Sequence, residues 1–128
     1  MRIDQINDCT GHVVDAAMRV HSALGPGLLE SAYQACLAHE LRKRGLQVLV
    51  QIPVPIIYDG VSIELAYRLD LLVDDIVIVE LKTVTKLLPI HEAQLLSYLR
   101  LGRKPVGLLI NFHMMHLRDG IKRMVNGL

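Results

Sequence analysis

Apolar positions along the 128-residue chain change period three times, and each change predicts a new kind of element. Between Ile3 and Leu24 the residues Ile6, Val13, Ala16, Ala17, Val20 and Leu24 fall near one helical stripe, while Asp8, Asp15 and Arg19 lie off it. Thr10-Gly11 offers an alternative start with Thr10 as N-cap, so the part before it is open. Gly25-Pro26-Gly27 stops this helix, because Gly accepts the left-handed C-cap conformation and Pro cannot extend the ladder. A second helix follows from about Leu28 to Arg44, rich in Ala, Leu, Glu, Gln and Lys. It closes on Arg42-Lys43-Arg44-Gly45, cations over the negative helix terminus and a Gly to end it.

From Gln47 the period falls to two. Val48, Val50, Ile52, Val54 and Ile56 alternate with Leu49, Gln51, Pro53 and Pro55, and prolines cannot donate to a ladder, so an edge strand or a bulged one is expected. Tyr58-Asp59-Gly60 turns the chain into a strand from Val61 to Val73, and Asp74-Asp75 turns it again into Ile76 to Thr83. Pro89 opens a third helix, Ile90 to Leu101, closed by Gly102. Val106 to Asn111 is a short apolar strand, and Asp119-Gly120 leads into a last strand or helix, Ile121 to Val125. The order is ααβββαβ plus a short C-terminal strand or helix: a mixed α/β (α+β) chain, expected to form one domain over residues 1–128.

Composition narrows the picture. A content of 52% hydrophobic and 21% charged residues is globular, and with no Trp, one Phe and four Tyr the core must be aliphatic. Each tyrosine is therefore a position to explain. A formal net charge of +1 lacks the basic excess that usually marks a nucleic-acid binder, although neutralising a few acids with metal would raise the balance. Cys9 and Cys36 are too few and too far apart for a zinc site or a disulfide framework. Isolated thiols, an N-terminus without an apolar leader and the lack of any spanning apolar run lead us to expect a soluble, cytoplasmic protein.

The candidate chemistry lies between Leu69 and Lys82. The apolar strand there ends in Glu80-Leu81-Lys82, and strand alternation projects Glu80 and Lys82 to one side. Asp70 on the preceding strand is the residue placed to join them, on one condition. A two-residue loop at Asp74-Asp75 sets Glu80 opposite Leu69 and turns Asp70 away, so an odd-length loop or a one-residue bulge is required. Two carboxylates and an amine on one sheet face suit phosphodiester hydrolysis assisted by Mg²⁺ or Mn²⁺. A Glu–Lys pair at a solvated strand end would produce the same triplet.

Two helices offer further polar side chains. Glu30 sits in the first turn of the second helix, where the macrodipole alone favours a carboxylate, and Tyr33 shares its face. On the third helix His91, Gln94 and Tyr98 form a polar stripe beside the apolar Leu95, Leu96 and Leu99, as on a helix flanking a polar cleft. His113 and His116 beside Met114-Met115 read as loop residues rather than a soft-metal site.

Asp70, Glu80-Leu81-Lys82 and Gln94-x-x-x-Tyr98 together resemble the PD-(D/E)xK nuclease superfamily, the last element being similar to that of its RecB-like branch. Gly27-x-x-Glu30-x-x-Tyr33 with His91-Glu92-Ala93-Gln94-Leu95-Leu96-Ser97-Tyr98 resembles more closely the small bacterial and archaeal proteins called the GxxExxY family. The resemblance runs from about the first helix to Val125. It implies a restriction-endonuclease-like core, a central mixed sheet flanked by helices. It further implies that Asp70, Glu80 and Glu30 are ligands of Mg²⁺ or Mn²⁺ and that Lys82 is the catalytic lysine. Gln94 and Tyr98 would orient the substrate or the lysine, with Tyr33 and His91 as accessory residues. Leu69 stands where such enzymes usually carry Pro. The function implied is hydrolysis of phosphodiester bonds in nucleic acid, DNA above all. The alternative is a non-catalytic nucleic-acid-binding or protein-interaction module that retains the fold. At this size little surface is left to wrap DNA, so by analogy with small nucleases a homodimer or a partner protein is the expectation.

Overall fold

The computed structural model describes residues 2–128, with residues 64–66 as backbone only. Two helices, α1 (Ile3–Leu24) and α2 (Glu30–Lys43), precede three strands, β1 (Val48–Tyr58), β2 (Val61–Val73) and β3 (Val77–Lys82). Helix α3 (Pro89–Gly102), strand β4 (Val106–Asn111), one 3₁₀ turn (Leu117–Gly120) and β5 (Ile121–Val125) complete the chain. The closing segment, left open between strand and helix, is a strand. Helix α1 is continuous, and the Thr10 hydroxyl donates to the Asn7 carbonyl (3.1 Å) from inside it, so Thr10 starts no new helix. Among the described residues no helix is long and apolar enough to cross a membrane.

The strands form one mixed sheet in chain order, β1-β2-β3-β4-β5, antiparallel throughout except for the parallel β3–β4 pair that α3 connects. The proline-bearing β1 lies at an edge, where its missing N–H groups leave no neighbour unsatisfied.

Strand alternation divides the core in two. Leu71, Val73, Val77, Val79, Leu81, Leu108 and Ile110 pack with α1 and α2, while Leu72, Ile78 and Leu109 pack with Leu95 and Leu99 of α3. Helix α3 lies close against the sheet because Gly107 has no side chain. A Cβ there would stand 2.8 Å from Leu95 Cδ1, so even Ala requires the Leu95 side chain or its helix to shift.

The β1–β2 ribbon changes faces partway along. Val48 and Leu71 belong to the α1/α2 side, whereas Ile52, Val54 and Leu69 belong to the α3 side. The switch falls at Gln51 and Asp70, the facing pair that the β1–β2 ladder skips, and Gln51 takes a left-handed φ of 51° there. A second irregularity interrupts the register between Val54 and Ile56. Bulges, expected from the prolines, thus accompany the edge position.

Candidate active site

The hairpin between β2 and β3 pairs Leu71 with Val79, Leu72 with Ile78 and Val73 with Val77. That register leaves a three-residue loop, Asp74-Asp75-Ile76, with Asp74 and Asp75 at φ 51° and 58°. The odd loop meets the condition set by strand parity: Asp70 comes opposite Glu80, on the face that Ile78 presents to α3.

Beyond Leu71 and Val79 side chains take over from the backbone ladder. Glu80 Oε1 accepts the Asp70 N–H (3.1 Å), and Asp70 Oδ2 accepts the Leu81 N–H (2.8 Å). Each carboxylate thus substitutes for a strand carbonyl and spends one oxygen doing so. Gln51 Nε2 reaches Asp70 Oδ1 (3.3 Å) and also Gln34 Oε1 of α2 (2.7 Å). Glu80 Oε2 and the lightly engaged Asp70 Oδ1 are the oxygens that no backbone N–H occupies.

Glu80, Glu30 and Tyr98 are held above their ordinary range. Burial first, and the charge of Asp70 second, push the Glu80 carboxyl up to about 8, against the Asp70 N–H and Lys82, which favour its anion. Glu30 is raised by burial and then by Asp70, with Lys82 acting oppositely. The Tyr98 hydroxyl is raised by burial, then by Glu80, Tyr67 and Asp70. Negative charge gathers here from β2, β3 and α2, and Lys82 is the single cation that offsets it in these shifts. No ion pair among the described residues involves Lys82. Hard oxygen donors with too little positive charge fit a divalent cation. Still, no three His, Cys, Asp or Glu side chains among the described residues stand close enough together to hold one. Asp70 and Glu80 form the tight pair, and Glu30 faces it electrostatically.

The Gly27–Tyr33 segment owes its shape to the loop before α2. Gly27 takes φ 101°, which a side chain would resist. The fully buried Tyr33 donates its hydroxyl to the Gly25 carbonyl and accepts the Leu28 N–H (3.2 Å). Its ring stacks on Phe112 at 4.5 Å and 13°, and the Phe112 N–H donates to the Lys82 carbonyl (2.9 Å). Tyr33 therefore pins the helix end that carries Glu30 to the strand end that carries Lys82.

On α3, His91 accepts the Leu88 N–H at Nδ1 (3.0 Å) and so caps its own helix. Gln94 is exposed and Tyr98 half-buried, and both line a groove of about 330 Å³ shared with Tyr67. His113 and His116 join no ligand cluster; the buried His21 instead donates Nε2–H to the Met114 carbonyl (2.7 Å) in that loop. Cys9 is a buried free thiol pushed up to about 12 by desolvation, and Cys36 is free and exposed.

Three contributors escaped the sequence reading: Gln51, Gln34 and Asn111. The fully buried Asn111 faces Lys82 across the parallel pair and accepts the N–H groups of Val84 (3.1 Å) and His113 (3.2 Å). Its amide donates to the Val84 carbonyl (2.8 Å), which fixes the chain as it leaves Lys82. A polar residue ending an apolar strand was the available signal for Asn111, as a Gln amid valines was for Gln51.

A family model described as the PD-(D/E)XK nuclease superfamily matches residues 7–124, a span that includes every residue of this cluster. No curated protein and no solved structure matches the chain.

Proposed function

Because the chain belongs to the PD-(D/E)XK nuclease superfamily, we propose that it is a metal-dependent nuclease that hydrolyses phosphodiester bonds of DNA. The observation that carries this reading is the facing pair Asp70–Glu80, each carboxylate tied by one oxygen to the opposite strand, with the Glu80 carboxyl pushed up by burial and by its neighbour. Asp70 and Glu80 would hold Mg²⁺ or Mn²⁺, with Glu30 as the third carboxylate facing them. Such an ion, when bound, acidifies a coordinated water and draws off charge from the phosphoryl oxygens.

The chain's own groups supply the rest. Lys82 lies on the same strand face as Glu80 and has no ion-pair partner among the described residues, so its ammonium is free to orient the attacking water or to meet the developing phosphoryl charge. Gln94 and Tyr98, which share a groove on α3, would orient the substrate, a reading supported for Tyr98 by the influence of Glu80 and Asp70 on its hydroxyl. Asn111 holds the segment after Lys82, and Tyr33 holds the helix start before Glu30, so both position reacting groups without touching substrate.

Purified protein incubated with linear, circular and single-stranded DNA tests the proposal. Cleavage should require Mg²⁺ or Mn²⁺ and fall roughly a hundredfold or more in Asp70→Ala and Lys82→Ala. Cleavage that survives both substitutions comes from a contaminant and removes the catalytic assignment. Thermal stabilisation by metal without cleavage would favour a binding module that keeps the fold.

A further inference from the structure

The four tyrosines divide into one buried, one at the tip of the β1–β2 ribbon and two that meet beside the carboxylates. Tyr67 of β2 and Tyr98 of α3 bring their ring centroids to 5.3 Å at an interplanar angle of 46°. Tilted rings do not cover each other face to face as Tyr33 and Phe112 do, and Tyr67 remains 49% exposed. The groove they share, about 330 Å³, lies at the small end of the ~300–1,000 Å³ range typical of small-ligand sites. Its floor is apolar, from Ile56, Ile90 and Leu101, and Gln94 and Ser97 give it a polar edge.

We propose that this groove is a subsite for an unpaired nucleobase of the strand whose phosphate meets Asp70 and Glu80; the inference rests on the nuclease reading and adds the form of the substrate. Continuity with the carboxylates is the first reason. Tyr67 stands three residues before Asp70 on β2, about 10 Å along the strand, so a flat group lying against these rings sits within a nucleotide's reach of the carboxylates. The second is the combination of aromatic faces with a Gln amide and a Ser hydroxyl, which suits a base that stacks by its face and hydrogen-bonds by its edge. The third is charge. A net charge of only +1 gives the chain no large basic excess, and stacking adds sequence-tolerant affinity that does not depend on one. A paired base must first be flipped out of the stack at a cost of a few kcal/mol, so a single-stranded or frayed substrate is favoured.

Fluorescence anisotropy tests this with Ca²⁺ in place of Mg²⁺, so that binding is read without turnover. The probes are a labelled oligothymidine, an abasic strand of the same length and a duplex. For the unaltered protein the abasic strand should bind roughly 5- to 150-fold more weakly than oligothymidine. Tyr67→Ala should lose a similar factor with oligothymidine and lose the discrimination, while Tyr67→Trp keeps both; the Trp variant separates loss of stacking from loss of fold. Equal affinity for base-bearing and abasic strands, or discrimination that persists in Tyr67→Ala, overturns the subsite and leaves the nuclease reading standing. Binding to none of the three probes removes the nucleic-acid reading itself. A protein that is dimeric in light scattering and becomes monomeric in Tyr67→Ala would assign the groove to a second copy of the chain, and the subsite would fall.

Discussion

Against α1 and α2 the sheet presents Leu71, Val73, Val77, Val79 and Leu81, all without measurable exposure, and the helices answer with Val13, Ala16, Ala17, Leu37 and Leu41, equally closed. Against α3 the same strands present Leu72 and Ile78 and then, continuing the row from Ile78, Glu80 and Lys82. One six-residue strand thus sends its odd positions into a closed aliphatic layer and its even positions toward the chemistry. The aromatic pairs repeat the contrast: Tyr33 and Phe112 stack flat inside the closed side, whereas Tyr67 and Tyr98 meet at a tilt on the open one. The lesson is that desolvating Glu80 next to Asp70 opposes folding, and the closed face offsets that cost through apolar burial. Most of the aliphatic core and most of the chemistry lie on opposite sides of β3, with Glu30 and Gln34 of α2 reaching the site from the closed side.

The largest expected effect comes from damaging the closed side. Leu37 is fully buried in the α1/α2 layer, so Leu37→Ala removes buried methyl groups and leaves a cavity. Unfolding in urea should show a loss of about 2–5 kcal/mol. Cleavage per folded molecule, measured well below the unfolding midpoint, should stay near that of the unaltered protein. A matching collapse of activity in the folded fraction would show that the two faces are coupled.

Altering the open side should act in the opposite sense. The Glu80 carboxyl has an ordinary value near 4.5 and is raised to about 8 in the fold, so between these limits the native state holds a proton that the unfolded chain has released. Stability of the metal-free protein must therefore fall as pH rises from about 4.5 toward 8, and the amount is at most a few kcal/mol. Glu80→Gln cannot ionise and should flatten this window, leaving the variant more stable than the unaltered protein near pH 8 while cleavage is lost. Urea midpoints taken across that range decide the matter: equal slopes for the two proteins would mean that Glu80 carries no such penalty.

The parts legible in the sequence were those fixed by short-range periodicity. Parity alone required an odd loop before Asp70 could face Glu80, and Asp74-Asp75-Ile76 supplies it. Two prolines predicted an edge strand or a bulged one, and β1 is both. What stayed hidden depends on partners distant along the chain. The face switch of the ribbon at Gln51 and Asp70 has no periodic signature, because both strands slip together and their register resumes unchanged. Tyr33 shares a helix face with Glu30, as its spacing implied, yet its hydroxyl turns back to Gly25 and its work is to hold the loop. His91 lies on the expected stripe but is occupied in capping. A spacing rule shows which side chains can meet and not which hydrogen bond each of them makes.

The smallest expected effect sits where the two faces exchange. Gln51 holds a left-handed φ of 51° inside a strand, a conformation costing a non-Gly residue roughly 1–2 kcal/mol, and its amide bridges Gln34 and Asp70. Gln51→Gly releases the strain but gives up both hydrogen bonds and adds backbone entropy to the unfolded chain, each worth about 1 kcal/mol. These losses, about 3 kcal/mol together, outweigh the roughly 1–2 kcal/mol released, so its stability should fall by about 1–2 kcal/mol. Gln51→Ala loses the same bonds and keeps the strain, so it should be the less stable of the two by up to about 1 kcal/mol. Both variants free Asp70 Oδ1 from its amide, so both should weaken Mg²⁺-dependent cleavage by up to about tenfold despite their different stabilities. Equal stability of the Gly and Ala variants would show that the bend at Gln51 carries no strain. Unequal stability with equal loss of cleavage would mean that the bend and the amide act separately, one shaping the crossing between faces and the other steadying Asp70.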